Sequence, residues 1–122
     1  MLRALPGGRI DEAEEAAADK LALLMALEKK ALWLSTWMIH QANHLRPSRD
    51  GLKVGGHQAS SASVATLMTA LYLDVMRPQD RVAVKPHAAP LCHALQYLLG
   101  NQSRAQIGAH PRAWWRPGLS LS

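Results

Sequence analysis

Apolar and polar positions in the first third of the chain follow the period of a long helix. The stretch from Asp11 to about Leu45 contains neither Gly nor Pro and consists mainly of good helix formers. Acidic side chains crowd its first turns, where they complement the helix dipole. The pattern therefore predicts a helix over residues 11–45, and a break near Glu28–Lys30 stays open as an alternative. Pro47 and the turn residues after it end the helix.

One stripe of this helix carries large rings. Trp33, Trp37, His40 and His44 follow i, i+4, i+7 and i+11 spacing. Two histidines four residues apart can bind a metal, but no carboxylate or thiol nearby completes a ligand set. We interpret the stripe as a face that packs inside the protein or forms an interface.

The rest of the chain divides into three further segments. After a glycine-rich loop at 53–57, residues 60–76 form a second helix that starts with small side chains, and Ser60 or Ser61 is a suitable N-cap. Residues 81–85 alternate, with two valines on one face, which predicts a short strand. Residues 88–99 form another helix, with a proline in its first turn and Gly100 just past its end.

A helix, a strand and a helix without a hairpin are typical of an α/β protein. One strand cannot form a sheet, so we expect this chain to pair with another segment or to be incomplete. Residues 107–122 are irregular and rich in Trp and Pro, and they supply no element that closes the fold.

The net charge of +5 is unevenly spread over the 122 residues. Residues 1–80 carry equal numbers of acidic and basic side chains, whereas residues 81–122 carry five basic side chains and no acidic one. Such asymmetry can indicate an anionic ligand or a nucleic acid, but these basic residues form no dense run. We therefore do not expect a nucleic-acid partner.

Cysteine content and hydropathy indicate the compartment. Cys92 is the only cysteine, so a disulfide framework is excluded, and the cytoplasm is the natural location. Its apolar neighbours predict a buried, inert thiol. The longest uncharged stretch, residues 54–73, contains Gly, His, Gln, Ser and Thr. It is a poor membrane span, and we expect no membrane association.

Two histidines precede helix starts. His57 follows Gly55 and Gly56, which allow a ligand to approach the backbone closely, and His87 follows the predicted strand with Lys85 beside it. Helix N-termini attract anions, phosphate above all, and a histidine there can donate to a phosphate or transfer a proton. The residues thus predict a phosphate-bearing ligand between two helix N-termini. Two unrelated loop histidines are the alternative.

Two ordered motifs extend this interpretation. The segments "DGLKVGGHQASSASVATLMTALY" and "RPQDRVAVKPHAAPLCHALQYLLGN" resemble the N-terminal part of the transketolase-like thiamine diphosphate enzymes. The resemblance is greatest to the homodimeric pyruvate dehydrogenase type and covers roughly residues 28–106. It implies a helix-rich N-terminal fragment of a thiamine-diphosphate-binding parallel-sheet domain. Residues 1–27 would be an N-terminal extension, and residues 107–122 an irregular tail of non-native sequence, as a truncated or frameshifted gene product would carry.

The resemblance also assigns roles to residues. It implies that His57 faces the thiazolium ring and the substrate, that Ser60 lies near the cofactor, and that His87 lies near the diphosphate. Both histidines would be catalytic, and Gly56 and Lys85 would join them in binding the cofactor. Lys85 stands where the family carries a polar amide, and Pro86 replaces a glycine.

Other parts of the family pattern are missing from this sequence. The Gly-Asp-Gly…Asn motif that binds magnesium and diphosphate has no counterpart, so no metal ligand is assigned in this chain. We therefore expect a partial 2-oxo acid decarboxylating subunit that is inactive alone and forms a homo-oligomer. A transketolase acting on sugar phosphates is one alternative. A small helical binding protein without catalysis is another.

Overall fold

The computed structural model describes residues 8–45 and 58–108. Its first helix, α1, spans Gly8–His40 and continues into a π-helical turn, Gln41–Leu45. The remaining helices are short: α2 is Gln58–Ser63, α3 is Ala65–Ala70, α4 is Ala89–Leu98 and α5 is Arg104–Gly108. A second π-helical turn, Leu71–Val75, extends α3, and a 3₁₀ turn, Pro86–Ala88, leads into α4.

The long first helix is confirmed, and the break considered near Glu28–Lys30 is absent because α1 runs through it. The second helix is broken where continuity was expected. Val64, with φ −106° and ψ 5°, separates α2 from α3. Since α2 includes Gln58, Ser60 and Ser61 lie inside a helix, and their prediction as N-caps is wrong.

The parallel-sheet α/β fold is not what the described residues form, because every regular element among them is helical. The predicted strand at 81–85 is instead an extended segment that pairs with no neighbouring strand in the described ranges. Its alternation is nevertheless visible, since Val82 and Val84 are half-buried while Arg81, Ala83 and Lys85 are exposed. A period of two in the sequence predicted which side chains face inward, but a strand also needs a partner for its backbone hydrogen bonds.

The core lies where the second half of α1 meets α3 and α4. It consists of Ala31, Ala65, Met68, Leu91, Cys92, Ala94 and Leu95. Three of these seven residues are alanines, one on each of the three helices, so the helix backbones approach closely around the two leucines of α4. Burial of this apolar surface is the main stabilising contribution to the fold.

The Trp/His stripe does not pack into this core. Trp33 is 64% exposed, and both histidines of the stripe are exposed. The buried face is a different one, formed by Ala31, Ser35, Met38 and Ile39 of α1 and by Ala42 of the π-helical turn. The packed face thus combines small side chains, which let the neighbouring helix come near, with the larger Met38 and Ile39.

The end of α4 matches its prediction in detail. Gly100 has a φ of +82°, a left-handed conformation that suits glycine. Its N–H donates to the carbonyl of Tyr97 at 3.0 Å, and the N–H of Asn101 donates to the carbonyl of Gln96 at 2.9 Å. These two bonds form a Schellman motif, which satisfies carbonyls that the helix end would leave without donors.

Within the described ranges, no helix combines the length and apolar character that crossing a membrane requires.

One buried polar atom is left without a partner. Thr69 on α3 is 2% exposed, and its Oγ1 makes no hydrogen bond within the described part of the chain. Thr66, one turn earlier, is exposed, and its Oγ1 donates to Glu28 of α1. The two threonines therefore differ in what their hydroxyl groups contribute.

We predict that Thr69→Val raises the free energy of unfolding by about 1 kcal/mol, because it removes an unsatisfied buried hydroxyl at nearly constant volume. The same change at Thr66 is the control. It breaks a hydrogen bond and should leave stability unchanged or lower it. Urea denaturation followed by circular dichroism measures both variants, and equal effects of the two substitutions would contradict the prediction.

Candidate functional site

The structure brings together two segments that the sequence analysis associated with ligand binding. The hydroxyl of Ser61 on α2 donates to the carbonyl of His87 at 3.1 Å, across 26 positions of the chain. Ser61 is only 1% exposed, so this bond forms away from competing water. It places the α2 segment against the turn that opens α4, and we call this region the α2–α4 junction.

The turn before α4 follows from its sequence. Pro86 fixes its own backbone angle and has no N–H to leave unpaired, so it suits the first position of a helical turn. Lys85 before it is extended, with φ −62° and ψ 146°, as a residue preceding proline must be. The N–H of Ala88 then donates to the carbonyl of Lys85 at 2.9 Å and closes the turn.

Not all of the predicted site residues can be placed. Gly56 and His57 lie outside the described residues. Ser60 is half-buried on α2 and accepts, through its carbonyl, a hydrogen bond from the hydroxyl of Ser63. Lys85 and His87 are both exposed at the surface of the junction. The structure therefore associates Ser60, Lys85 and His87 with one region, and the proposed role of His57 stays a prediction.

The electrostatic character of the junction is positive. No acidic residue occurs in the sequence after Asp80, so Lys85 has no carboxylate within its own segment to neutralise it. The dipole of α4 adds partial positive charge at the same end. The arrangement can attract an anion.

The described residues of the α2–α4 junction do not supply the ligands that a metal ion needs. The described residues contain no group of three His, Cys, Asp or Glu side chains placed to hold one. His40 and His44 do lie together, with ring centroids 4.8 Å apart, but on α1 and its π-helical turn. Two rings alone make an incomplete ligand set.

The cysteine is buried, as predicted. Burial raises the pKa of the Cys92 thiol, and a hydrogen bond with Tyr72, whose Oη lies 3.6 Å from Sγ, partly offsets this. Burial, together with the same hydrogen bond and the nearby sulfur, raises the pKa of Tyr72. Both groups therefore stay protonated, and Cys92 is not poised to act as a nucleophile.

Sequence reasoning missed one polar contact of a histidine. Nδ1 of His93 lies 2.9 Å from Nε2 and 3.1 Å from Oε1 of Gln102. Burial lowers the pKa of His93, and the hydrogen bond with Gln102 opposes that shift. Burial thus favours the neutral ring, and the contact ties the middle of α4 to the segment that follows the helix. Only the nine-residue separation in sequence could have suggested this pair, and that is a weak signal.

Comparisons with known proteins add no family to this picture. No protein-family model matches the chain, and neither the curated proteins nor the solved structures give a significant match.

We predict that Ser61→Ala lowers the free energy of unfolding by about 1 kcal/mol, since the His87 carbonyl loses its donor. Amide hydrogen exchange in the first turn of α4 should also become faster. Ser63→Ala is the matched control, because its hydroxyl bonds only within α2 at an exposed position. If the two variants have the same stability and exchange pattern, Ser61 does not hold the junction together.

Proposed function

We propose that this chain is part of a thiamine-diphosphate-dependent subunit that decarboxylates a 2-oxo acid, as in the pyruvate dehydrogenase type, and that it is inactive alone. The observation that carries the proposal is the bond from Ser61 to the His87 carbonyl. It joins the two motif segments on which the resemblance rests, although nothing in their sequence spacing requires contact.

The residues of the junction fit one end of the cofactor. Lys85 and His87 would bind the negatively charged diphosphate, and the half-buried Ser60 would contact it from α2. When bound, thiamine diphosphate supplies a carbanion that attacks the 2-oxo group and a ring that accepts the electron pair. His87 would hold a proton close to the diphosphate oxygens.

The metal that accompanies the diphosphate does not fit the described residues, which offer no ligand group for it. Magnesium and its ligands would have to come from elsewhere in an intact enzyme. This is the physical reason for proposing that the chain does not catalyse the reaction by itself.

The cellular location and the substrate of the proposed subunit rest on two further arguments. We place it in the cytoplasm, because the single cysteine is a buried thiol rather than part of a disulfide. The substrate of the intact enzyme would be a 2-oxo acid. A sugar phosphate, as for a transketolase, would use the same cofactor end, and the junction does not discriminate between them.

We predict that the 122-residue chain binds inorganic pyrophosphate and releases no carbon dioxide from pyruvate with thiamine diphosphate and magnesium present. Lys85→Gln and His87→Gln should each weaken pyrophosphate binding about tenfold, the loss expected for one charge-assisted hydrogen bond. Isothermal titration calorimetry measures the binding, and trapped carbon dioxide measures the reaction.

Lys29→Gln is the control, since it removes the same charge from an exposed position of α1. If the Lys29 and Lys85 variants bind pyrophosphate equally well, the α2–α4 junction is not the pyrophosphate site. Carbon dioxide release by the wild-type chain would show that it is active alone.

A second candidate is a helical interaction protein, and one observation favours it. Ile10, Leu21 and Met25 on the first half of α1 are each at least half exposed. Helical spacing places them within about one third of the helix circumference. A stripe of this kind is a suitable surface for self-association, and a homo-oligomer is the state we propose for the chain.

We predict that sedimentation velocity shows a concentration-dependent oligomer and that Leu21→Glu together with Met25→Glu shifts it to the monomer, because both substitutions place charge in the stripe. Leu67→Glu is the control, at an equally exposed apolar position of α3. A wild-type chain that stays monomeric at all concentrations would contradict this candidate.

A further inference from the structure

The C-terminal end of α4, opposite the end that meets the α2–α4 junction, borders a cleft that the proposed function does not use. The cleft has a volume of about 400 Å³ and lies between the end of α4 and the segment 76–82. Tyr72, Met76, Val82 and Leu99 form its apolar walls. This volume lies within the range of small-molecule sites.

Two guanidinium groups line the same cleft. Nη1 of Arg81 donates to the carbonyls of Pro78 and Asp80, both at 3.1 Å, so the side chain is held against its own turn. These bonds use one of its three nitrogens and leave further N–H donors. Arg77 is the second guanidinium, and it is held more loosely, with its Nε 3.5 Å from a carboxylate oxygen of Asp80.

The one carboxylate in the cleft is already engaged. Oδ2 of Asp80 accepts the backbone N–H of Arg77 at 2.8 Å, and the N–H of Asp80 donates to the carbonyl of Arg77 at 3.0 Å. Asp80 therefore closes a tight turn, and both arginines lie at this turn or directly after it. The lining carries two positive charges against one negative charge, which leaves a net positive site.

A buried amide completes the set. Gln96 is 6% exposed, lines the cleft, and accepts through Oε1 a hydrogen bond from Nδ2 of Asn101 at 2.7 Å. That bond fixes the orientation of the amide, and because Gln96 lines the cleft, its N–H₂ group can donate to a ligand oxygen there.

The end of α4 itself does not repel an anion strongly. Carbonyls of a helix C-terminus carry partial negative charge, but those of Gln96 and Tyr97 accept the N–H groups of Asn101 and Gly100. The groups left to meet a ligand are guanidinium and amide donors above an apolar surface, with Asp80 as the one acidic side chain among them.

We propose that this cleft binds a small organic carboxylate with a compact apolar body. The carboxylate contacts Arg81 and the Gln96 amide, Arg77 adds its charge at the rim, and the apolar body packs against Tyr72 and Leu99. Arginine suits this role because its planar donors can bond both oxygens of a carboxylate. The site is independent of the junction, and neither requires the other.

The test uses 4-fluorobenzoate as the probe and fluorine NMR relaxation on the full chain. We expect saturable binding with a dissociation constant of about 1 mM, weakened about tenfold by Arg81→Gln, because one charge-assisted interaction is lost. The neutral 4-fluorobenzamide should bind at least tenfold more weakly than the carboxylate to the wild-type chain.

Arg104→Gln is the control, since it removes the same charge from an exposed position that does not line the cleft. Arg77→Gln provides a second variant should the Arg81 change prevent folding, and it should weaken binding at least threefold. Equal affinities of the cleft variants and the Arg104 variant would overturn the proposal. So would the absence of saturation up to roughly 10 mM probe, or equal binding of the acid and the amide.

Discussion

The packing of α4 against the second half of α1 is the contact on which the rest of the structure depends. Leu91, Ala94 and Leu95 are fully buried, and Ala31 meets them from α1. A helix of ten residues is not stable in isolation, so α4 exists because this face is buried. One proposed ligand region lies at each end of α4, so the geometry of both regions depends on how α4 packs against α1.

Each end of α4 is fixed by a different kind of bond. At the start, the buried hydroxyl of Ser61 holds the carbonyl of His87, which joins two segments distant in sequence. At the other end, Gly100 and Asn101 close the helix locally through backbone bonds. The start therefore depends on the position of α2, whereas the cleft at the other end is lined by α4, the π-helical turn after α3 and the segment 76–82, and by no residue of α2. A change in α2 can alter the junction and leave the cleft intact.

Features that depend on neighbouring residues could be predicted from the sequence, whereas features that depend on distant segments could not. The long helix and the glycine after α4 are governed by neighbouring residues, and both were predicted. The alternation of residues 81–85 correctly gave the inward side of Val82 and Val84, but a strand is a property of two segments and no partner is present among the described residues. The Trp/His stripe is packed only at the half-buried Trp37, and its alternative role as an interface stays a prediction. Ring size suggests burial, whereas the packed face of α1 combines the small Ala31 and Ser35 with Met38 and Ile39.

The candidate site was less accessible to prediction. Ser60, Lys85 and His87 were named from the resemblance, and the structure brings their segments together at the α2–α4 junction, but their role in ligand binding stays a prediction. The hydrogen bond by which Ser61 joins the two segments could not be predicted, because a serine within a run of small residues does not indicate which distant group its hydroxyl will contact. The cleft was not predictable at all, since Arg81 and Gln96 belong to different elements and meet only through the fold.

The first half of α1 and the two ends of α4 differ in charge, which indicates that they bind different partners. Five of its nine acidic residues lie between positions 11 and 19, on the exposed first half of α1, and none follows position 80. Anions are therefore repelled from that half of α1 and attracted to both ends of α4. The same half carries its apolar stripe beside those acidic side chains, so the surface of a second copy that covers the stripe must be apolar at its centre and basic or neutral at its rim, unlike the stripe itself. The ligand regions on α4 and the stripe on α1 can then be occupied together, because they select for opposite charge.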